Sequence, residues 1–548
     1  MIGVKPLSVV LALAAFSAFP SCAGAVPLDT AGAALDRARE ARERERIAQE
    51  IKEDQEVRAA KVEREKPSED PRAAEISFEL KSVLLDPSEV LTKEETDGIV
   101  AEYVGREVSL QDLYDLVEKI NALYEKKGFL TCRAFLPPQR IHEGEVAIRL
   151  VEGKTGTVSV QGNQHTRTGY IRDSFSATAG TIANTDKLTR ELQHFNGAHD
   201  VQLRMVMHAG KEEGTTDYEI LVFEPQKNER VTLFVDNNGY DTSGRWREGL
   251  FYINKSVSGF RDSLQVNYQR SQGTDIWGLG YTFPLNRHGM KLSLDYSGNQ
   301  TRITDGDFQH LDIRGKAYAF SVTLRVPFLV DANRRFETGL QVSRQHSETT
   351  FGDNRDVWLD DHTIQLAPYI SMIHYGDSYV FYHKYSLART HLKQASGNSY
   401  DTWNWRMDSF YQKQYKAGQS LMARFNGQLT NSSVLAGADK FYIGGVSTVR
   451  GYKESLVYGE DGFVASVEYQ VPLTREKNLR ALAFLDYGQI YGRQVRNDEN
   501  MLISTGVGLM GHYKDISASL ILGVPLQRWV ATEKVDPTRL HFLVSASF

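Results

Sequence analysis

Leu540-His541-Phe542-Leu543-Val544-Ser545-Ala546-Ser547-Phe548 closes the chain. Leu540, Phe542, Val544, Ala546 and Phe548 alternate with His541, Leu543, Ser545 and Ser547. Successive side chains of a strand point to opposite faces, so this stretch reads as a β-strand with one apolar face. Working backwards, the same period of two persists to Arg230, broken by turns rich in Gly, Asn, Asp and Ser. Sixteen such segments are predicted, the first at 230–236 and the last at 539–548. An even number of alternating strands fits a transmembrane barrel. A soluble sandwich would need a second buried layer, and sixteen strands with long loops fit it poorly.

Composition agrees. The 548 residues are 41% hydrophobic, 10% aromatic and 24% charged. No repeated apolar runs of about 18 residues occur, which excludes a bundle of membrane-spanning helices. A barrel hides its apolar residues in alternation and escapes that test. A net charge of −6, from 64 basic and 70 acidic residues, leaves no nucleic-acid footprint. Two cysteines exclude a disulfide scaffold.

The front of the chain differs. Lys5, the apolar run Leu7 to Phe16 and the small residues Ala23-Gly24-Ala25 read as a signal peptide over 1–25. Cleavage there leaves Cys132 as the only thiol, and its alternating neighbours predict a Cys packed on a strand. Residues 26–66 are expected to form a charged helix. Glu40/Arg44, Arg46/Glu50, Lys52/Glu56 and Asp54/Arg58 place opposite charges four apart. A helix that is polar all round belongs in water, either as a spacer or inside a wet channel. Residues 67–75 read as a linker.

Two α/β modules are predicted next, at 76–153 and 154–228. In the first, a strand over 76–84 leads to a helix opened by Thr92 and Glu95, a capping-box pair. Ser109 opens a second helix with Leu113, Leu116, Val117, Ile120, Leu123 and Tyr124 on one face. Strands at 130–136 and 145–151 follow. The order β-α-α-β-β repeats from Gly156, with helices around 168–176 and after Asn184 and strands at 200–208 and 216–223.

The barrel, 229–548, has its longest loop at about 430–460. That loop holds Gly444-Gly445-Val446-Ser447-Thr448-Val449-Arg450-Gly451-Tyr452. Glycines on both sides allow a tight turn, and a guanidinium inside a barrel needs a carboxylate partner. Asp486, in Phe484-Leu485-Asp486-Tyr487-Gly488, is the candidate. By alternation it shares a lumen face with Phe484 and Gly488, while Leu485 and Tyr487 face lipid.

With these motifs the chain resembles the TpsB transporters of two-partner secretion, the FhaC and ShlB group within the BamA-like superfamily. The Val449-Arg450-Gly451-Tyr452 tetrad is similar to that family's loop tip, and Phe484, Asp486 and Gly488 to its partner strand motif. Thr131 to Gln139 resembles a strand of its first POTRA module. The aromatic end at Phe548 resembles an outer-membrane assembly signal. The resemblance implies a plug helix, two periplasmic POTRA modules and a 16-stranded barrel in the outer membrane. It implies a secreted, haemolysin- or adhesin-like TpsA exoprotein as partner, lipids around the barrel, and the barrel-assembly machinery during biogenesis. No nucleic acid, cofactor, metal or catalytic residue is expected.

The rival readings are a BamA-like insertase, a small-solute porin and a barrel enzyme such as a lipase. Porins lack periplasmic modules of this kind. Enzyme patterns are weak: the 14 His show no His-Glu-x-x-His spacing, and no Gly-x-Ser-x-Gly appears. Gly506-x-Gly508-x-x-Gly511 sits between strands, whereas a dinucleotide fingerprint needs a strand followed by a helix.

Overall fold

A computed structural model describes residues 31–35, 37–39, 77–331, 333–492, 500–527, 529–530 and 533–548. The expected signal peptide, the linker and most of the 26–66 helix lie outside the described residues. The chain forms two compact units, one within 59–225 and one joining the N-terminal segment to 226–548.

The first unit begins with β1 (Ser77–Glu79), β2 (Ser82–Leu85), α1 (Lys93–Val100), β3 (Glu107–Ser109), α2 (Leu110–Lys126), β4 (Cys132–Phe135) and β5 (Glu145–Glu152). Reciprocal capping boxes start both helices, Thr92 with Glu95 and Ser109 with Asp112. Each cap satisfies amide donors that the first helical turn leaves unpaired. The apolar face of α2 is buried as its spacing requires, through Leu113, Leu116, Val117, Ile120 and Tyr124.

The predicted strand 76–84 is corrected. It breaks at Leu80, which turns into the core, while Lys81 N donates to Gly144 O (2.8 Å). Its first half pairs antiparallel with β3 and its second half parallel with β5. Alternation continues across the break, so the period could not reveal a change of sheet.

Then follow β6 (Lys154–Gln161), α3 (Thr168–Arg172), α4 (Thr185–Ala198), β7 (Gln202–Ala209) and β8 (Thr215–Phe223). The helix expected around 168–176 stops at Arg172. The sheets order as β2-β5-β4 and β6-β8-β7, and in both the first pair is parallel and the second antiparallel. The same strand topology thus occurs twice.

Cys132 is buried on β4. Burial, with a smaller contribution from nearby Glu152, pushes its thiol up to about 11. The thiolate is the nucleophile, so little reactive form exists at pH 8. Alkylation of Cys132 by iodoacetamide, followed by peptide mass spectrometry, is expected to be at least about tenfold slower in the folded protein than in urea. Equal rates would contradict this burial.

The second unit is a closed barrel. Its strands are β9 (Glu229–Asp236), β10 (Arg247–Asn254), β11 (Ser263–Arg270), β12 (Thr274–Pro284), β13 (Lys291–Arg302), β14 (Arg314–Val330), β15 (Arg334–Phe351), β16 (Asp356–Tyr375), β17 (Tyr379–Gln394), β18 (Ser399–Gln414) and β19 (Ser420–Thr430). A short hairpin, β20 (Phe441–Ile443) with β21 (Val457–Gly459), lies inside the long loop. The wall resumes with β22 (Asp461–Pro472), β23 (Leu479–Tyr491), β24 (Met501–Tyr513) and β25 (Ile516–Pro525). The two-residue strands β26 (Trp529–Val530) and β27 (Glu533–Lys534) precede the closing β28 (Arg539–Ser547). Every wall strand is antiparallel to its neighbours, and β28 closes on β9.

Strands β14 to β18 are 16 to 20 residues long. A crossing needs about 9–11, so this side of the barrel projects well past the apolar band. Along β23, Arg480, Leu482, Phe484, Asp486, Gly488 and Ile490 are buried inward while Leu485 is exposed on the outer face.

The seam is short. Five register pairs, Leu543–Ser547 against Asp236–Thr232, join β28 to β9. Phe548 adds two backbone hydrogen bonds, donating to Val231 O (2.8 Å) and accepting from Val231 N (3.2 Å).

Residues 31–35 and 37–39 are helical, and all of them but the half-buried Arg39 are buried against the inside of the barrel. Ala31 and Leu35 cluster with Ala317 and Ala319 of β14. Ala33 and Ala34 pack on Tyr240 and Tyr442. Asn299 Nδ2 donates to Ala31 O (3.0 Å). The contact thus uses the Ala-rich start of the segment. Small side chains let a helix backbone approach the wall closely.

A buried arginine site inside the barrel

The long loop folds inward. Gly444, Gly445 and Gly451 all take positive φ (108°, 97° and 90°), which side chains with a Cβ rarely adopt. The turn between them is pinned by Thr448, whose Oγ1 accepts from Gly444 N (2.9 Å), and by Glu454, whose Oε1 accepts from Val446 N (2.8 Å). This places Val449, Arg450, Gly451 and Tyr452 against the wall.

Arg450 is 1% exposed and Asp486 0%. The guanidinium meets Asp486 as a fork, Nε to Oδ2 (2.8 Å) and Nη2 to Oδ1 (2.8 Å). Arg450 N also donates to Asp486 Oδ2 (3.0 Å). Nη1 donates to Glu468 Oε2, and Nη2 reaches Ser466 Oγ (3.3 Å). The ring of Phe484 lies beneath the cation, 3.5 Å from Cζ to centroid. One cation therefore faces two buried carboxylates. Its planar, permanently charged donor fork suits such a site, whereas a lysine ammonium would not match it.

The glycines supply the space. A Cβ on Gly488 would stand 2.8 Å from Val449 Cγ2, and one on Gly506 would strike the Phe484 ring at 2.6 Å. Gly451 crosses Gly523 of β25 so closely that a Cβ on Gly523 would lie 2.5 Å from Gly451 Cα. Gly451 N donates to His541 Nε2 (3.2 Å), and Tyr452 Oη donates to Ile503 O (2.8 Å). Val449 and Tyr452 enter an apolar cluster with Ile443, Val464, Ile490 and Leu502.

All seven residues singled out from the sequence meet here: Val449, Arg450, Gly451, Tyr452, Phe484, Asp486 and Gly488. Glu468, Ser466, Gly523, His541 and Glu454 were not singled out. For Ser466 and Glu468 a signal existed, since Ser466, Glu468 and Gln470 alternate with Val467 and Tyr469. Their register opposite Asp486 and Phe484 did not show in the sequence.

The N-terminal segment touches the same loop. Arg37 lies over Tyr442 (4.2 Å to the centroid) and Nη1 donates to Ser455 Oγ.

Because Arg450 and Asp486 share one buried network, their effects should not add. Arg450→Ala leaves Asp486 and Glu468 without their cation, Asp486→Ala strips Arg450 of its two-pronged acceptor and leaves it only Glu468, and the double variant loses the Arg450–Asp486 contact once, not twice. Its loss of stability should fall short of the sum of the single losses by about 1–3 kcal/mol. The thermal midpoint of the gel-mobility shift of the folded barrel measures this. Strict additivity would contradict the contact.

Comparison with known proteins places this geometry. The family described as haemolysin secretion/activation protein ShlB/FhaC/HecB matches residues 214–511, and the ShlB-type POTRA domain matches residues 78–153. The chain is 25% identical over 474 residues to the heme/hemopexin transporter protein HuxB of Haemophilus influenzae (strain 86-028NP), covering 79% of this chain and 81% of that one. It is 21% identical over 507 residues to the outer membrane transporter CdiB of Dickeya dadantii (strain 3937), covering 86% and 87%. Among solved structures, CdiB from Escherichia coli superposes with a TM-score of 0.70 at 17% identity, covering 94% of this chain and 98% of that one. BamA from Haemophilus ducreyi, lacking POTRA domains 1–3, gives 0.51 at 14%, covering 86% and 100%. With a sixteen-stranded barrel behind a POTRA domain and a family match over more than half its length, the chain belongs to the ShlB/FhaC/HecB family of haemolysin secretion/activation proteins.

Proposed function

We propose that this chain is an outer-membrane pore that recognises a large secreted partner protein and passes it out of the cell in two-partner secretion. The observation that carries this reading is a loop folded into the lumen of a secretion-family barrel and fastened there by Arg450 on Asp486 and Glu468. The barrel lies in the outer membrane, surrounded by lipid, and the modules before it lie in the periplasm. We read residues 154–228 as a second POTRA module because its sheet repeats the strand order of the first. Edge strands β4 and β7 each have one hydrogen-bonded neighbour, so an extended exoprotein can add a strand beside them. The chain acts as a conduit and not as a catalyst, binds no nucleic acid, and depends on the barrel-assembly machinery for its own insertion. Val449, Arg450, Gly451 and Tyr452 form the transport loop, with Phe484, Asp486 and Gly488 as its seat. The N-terminal segment is the resting plug.

The insertase reading is less favoured, because the family match is to secretion proteins and the BamA likeness is one of fold. Co-production with a large exoprotein encoded beside this gene tests the proposal. The exoprotein should reach the medium only when this chain is present. Normal release without it, together with loss of other barrels from the outer membrane, would support the insertase instead.

A further inference from the structure

We propose that the outer surface of the barrel carries a divalent-cation site of the zinc class, built from His346, Asp360 and His362 on the hairpin of β15 and β16. His346 and His362 are direct cross-strand partners, and both lie on the outward face. Their rings stack 4.2 Å apart with planes only 6° from parallel. Both Nε2 atoms point to the same oxygen, Asp360 Oδ1, at 2.8 Å from His346 and 3.4 Å from His362. The three potential ligand atoms all lie within 4.8 Å of one another.

These distances suit a metal. Zinc takes imidazole nitrogen at about 2.0–2.1 Å and carboxylate oxygen at about 2.0–2.2 Å, which puts neighbouring tetrahedral ligands roughly 3.3–3.5 Å apart. Small side-chain rotations reach that spacing from the geometry here. Two imidazoles and one carboxylate leave a fourth position open to water or another small ligand. Borderline cations prefer imidazole, whereas magnesium and calcium prefer all-oxygen sites.

The backbone holds the ligands in register. Hydrogen bonding on both strands fixes the pair, and a β-bulge at Thr349/Thr350 ends regular pairing just beyond it. Arg344 on β15, opposite Ile364, stands directly below the pair, and Leu340 and Val342 on β15 with Ile364 and Leu366 on β16 form the exposed apolar band there. The site therefore stands just past the band, at the end of the barrel away from Glu229 and Phe548, accessible to water. Glu348, opposite Asp360, adds negative charge, while Lys393 stands opposite His362.

The test uses the full-length protein in detergent, purified without a histidine tag and stripped with EDTA. At about 0.1 mM free Zn²⁺, well above a dissociation constant of about 1 μM, the wild type should retain close to one zinc per chain in equilibrium dialysis. Loss of an outer-shell partner alone typically weakens a metal site about 10–100-fold, so loss of a ligand should cost no less. His362→Ala and Asp360→Asn should each weaken binding at least tenfold by calorimetry. His391→Ala, on β17 of the same outer surface, should leave it unchanged. The unheated gel mobility of each variant reports that the barrel is folded. Absence of retained zinc in the wild type, or retention by a folded His346→Ala/His362→Ala variant, would overturn the proposal.

Discussion

Arg450→Ala should cut export of the partner exoprotein severely while the barrel still reaches the outer membrane, the largest effect expected of any single substitution here. The side chain holds the loop through a two-pronged bond to Asp486, a bond to Glu468 and a ring beneath it. Alanine leaves two buried carboxylates without their cation. Breaking a buried pair in this way costs about 3–5 kcal/mol. A cost of that size shifts the fastened loop toward released states by a factor of 100 or more. The wall itself is hydrogen-bonded strand to strand and does not need the loop to close. Exoprotein in the medium should fall at least about tenfold, with heat-modifiable barrel in outer-membrane fractions near the wild-type amount. Arg450→Lys should rescue little, because an ammonium cannot reproduce the fork. Normal export by Arg450→Ala would refute the assigned role.

Deleting residues 33–65 should raise single-channel conductance in planar bilayers and increase entry of bulky antibiotics, with export retained. The described part of this segment fills space that a sixteen-stranded wall leaves open. It presses Ala31 and Leu35 on β14, seats Ala33 and Ala34 on two tyrosines, and sets Arg37 over Tyr442. These contacts are small and mostly apolar, so they can be given up at modest cost compared with the Arg450 network. Unchanged conductance would show that the segment does not obstruct the pore. Lost export would give it an active part in transport.

Much of this architecture was legible because a barrel is governed by a period of two. Each wall strand has one face on lipid, so hydrophobicity alternates from β9 to β28 and the strands could be counted. Arg450 stood out because a charged fork between glycines has few comfortable places, and Asp486 because it is a carboxylate on an inward position. What stayed hidden depends on register between distant strands. Glu468 completes the site through β22, and His541 meets Gly451 across 90 residues. His346 and His362 show no metal-binding spacing in the sequence, yet the ladder stacks them ring on ring. The break at Leu80 was hidden for a related reason, since the alternation does not change where the chain changes sheets.

The seam between β9 and β28 has a bearing on how the molecule is made. Thr232 and Ser547, which share a hydrogen bond, are 315 positions apart. The circle cannot close until β28, the wall strand farthest along the sequence, is in place to pair with β9. Until then β9 and whichever strand has arrived last both present unpaired edges, and such edges invite pairing with other chains. Contacts between remote parts of a chain also form slowly, since closing a long loop must precede any gain from the contact. Folding is thus expected to finish at the seam of β28 and β9, with Phe548 and its two bonds to Val231 as the latch. Loss of even this one residue should lengthen the interval in which the open sheet is exposed. Over that interval the precursor needs an escort.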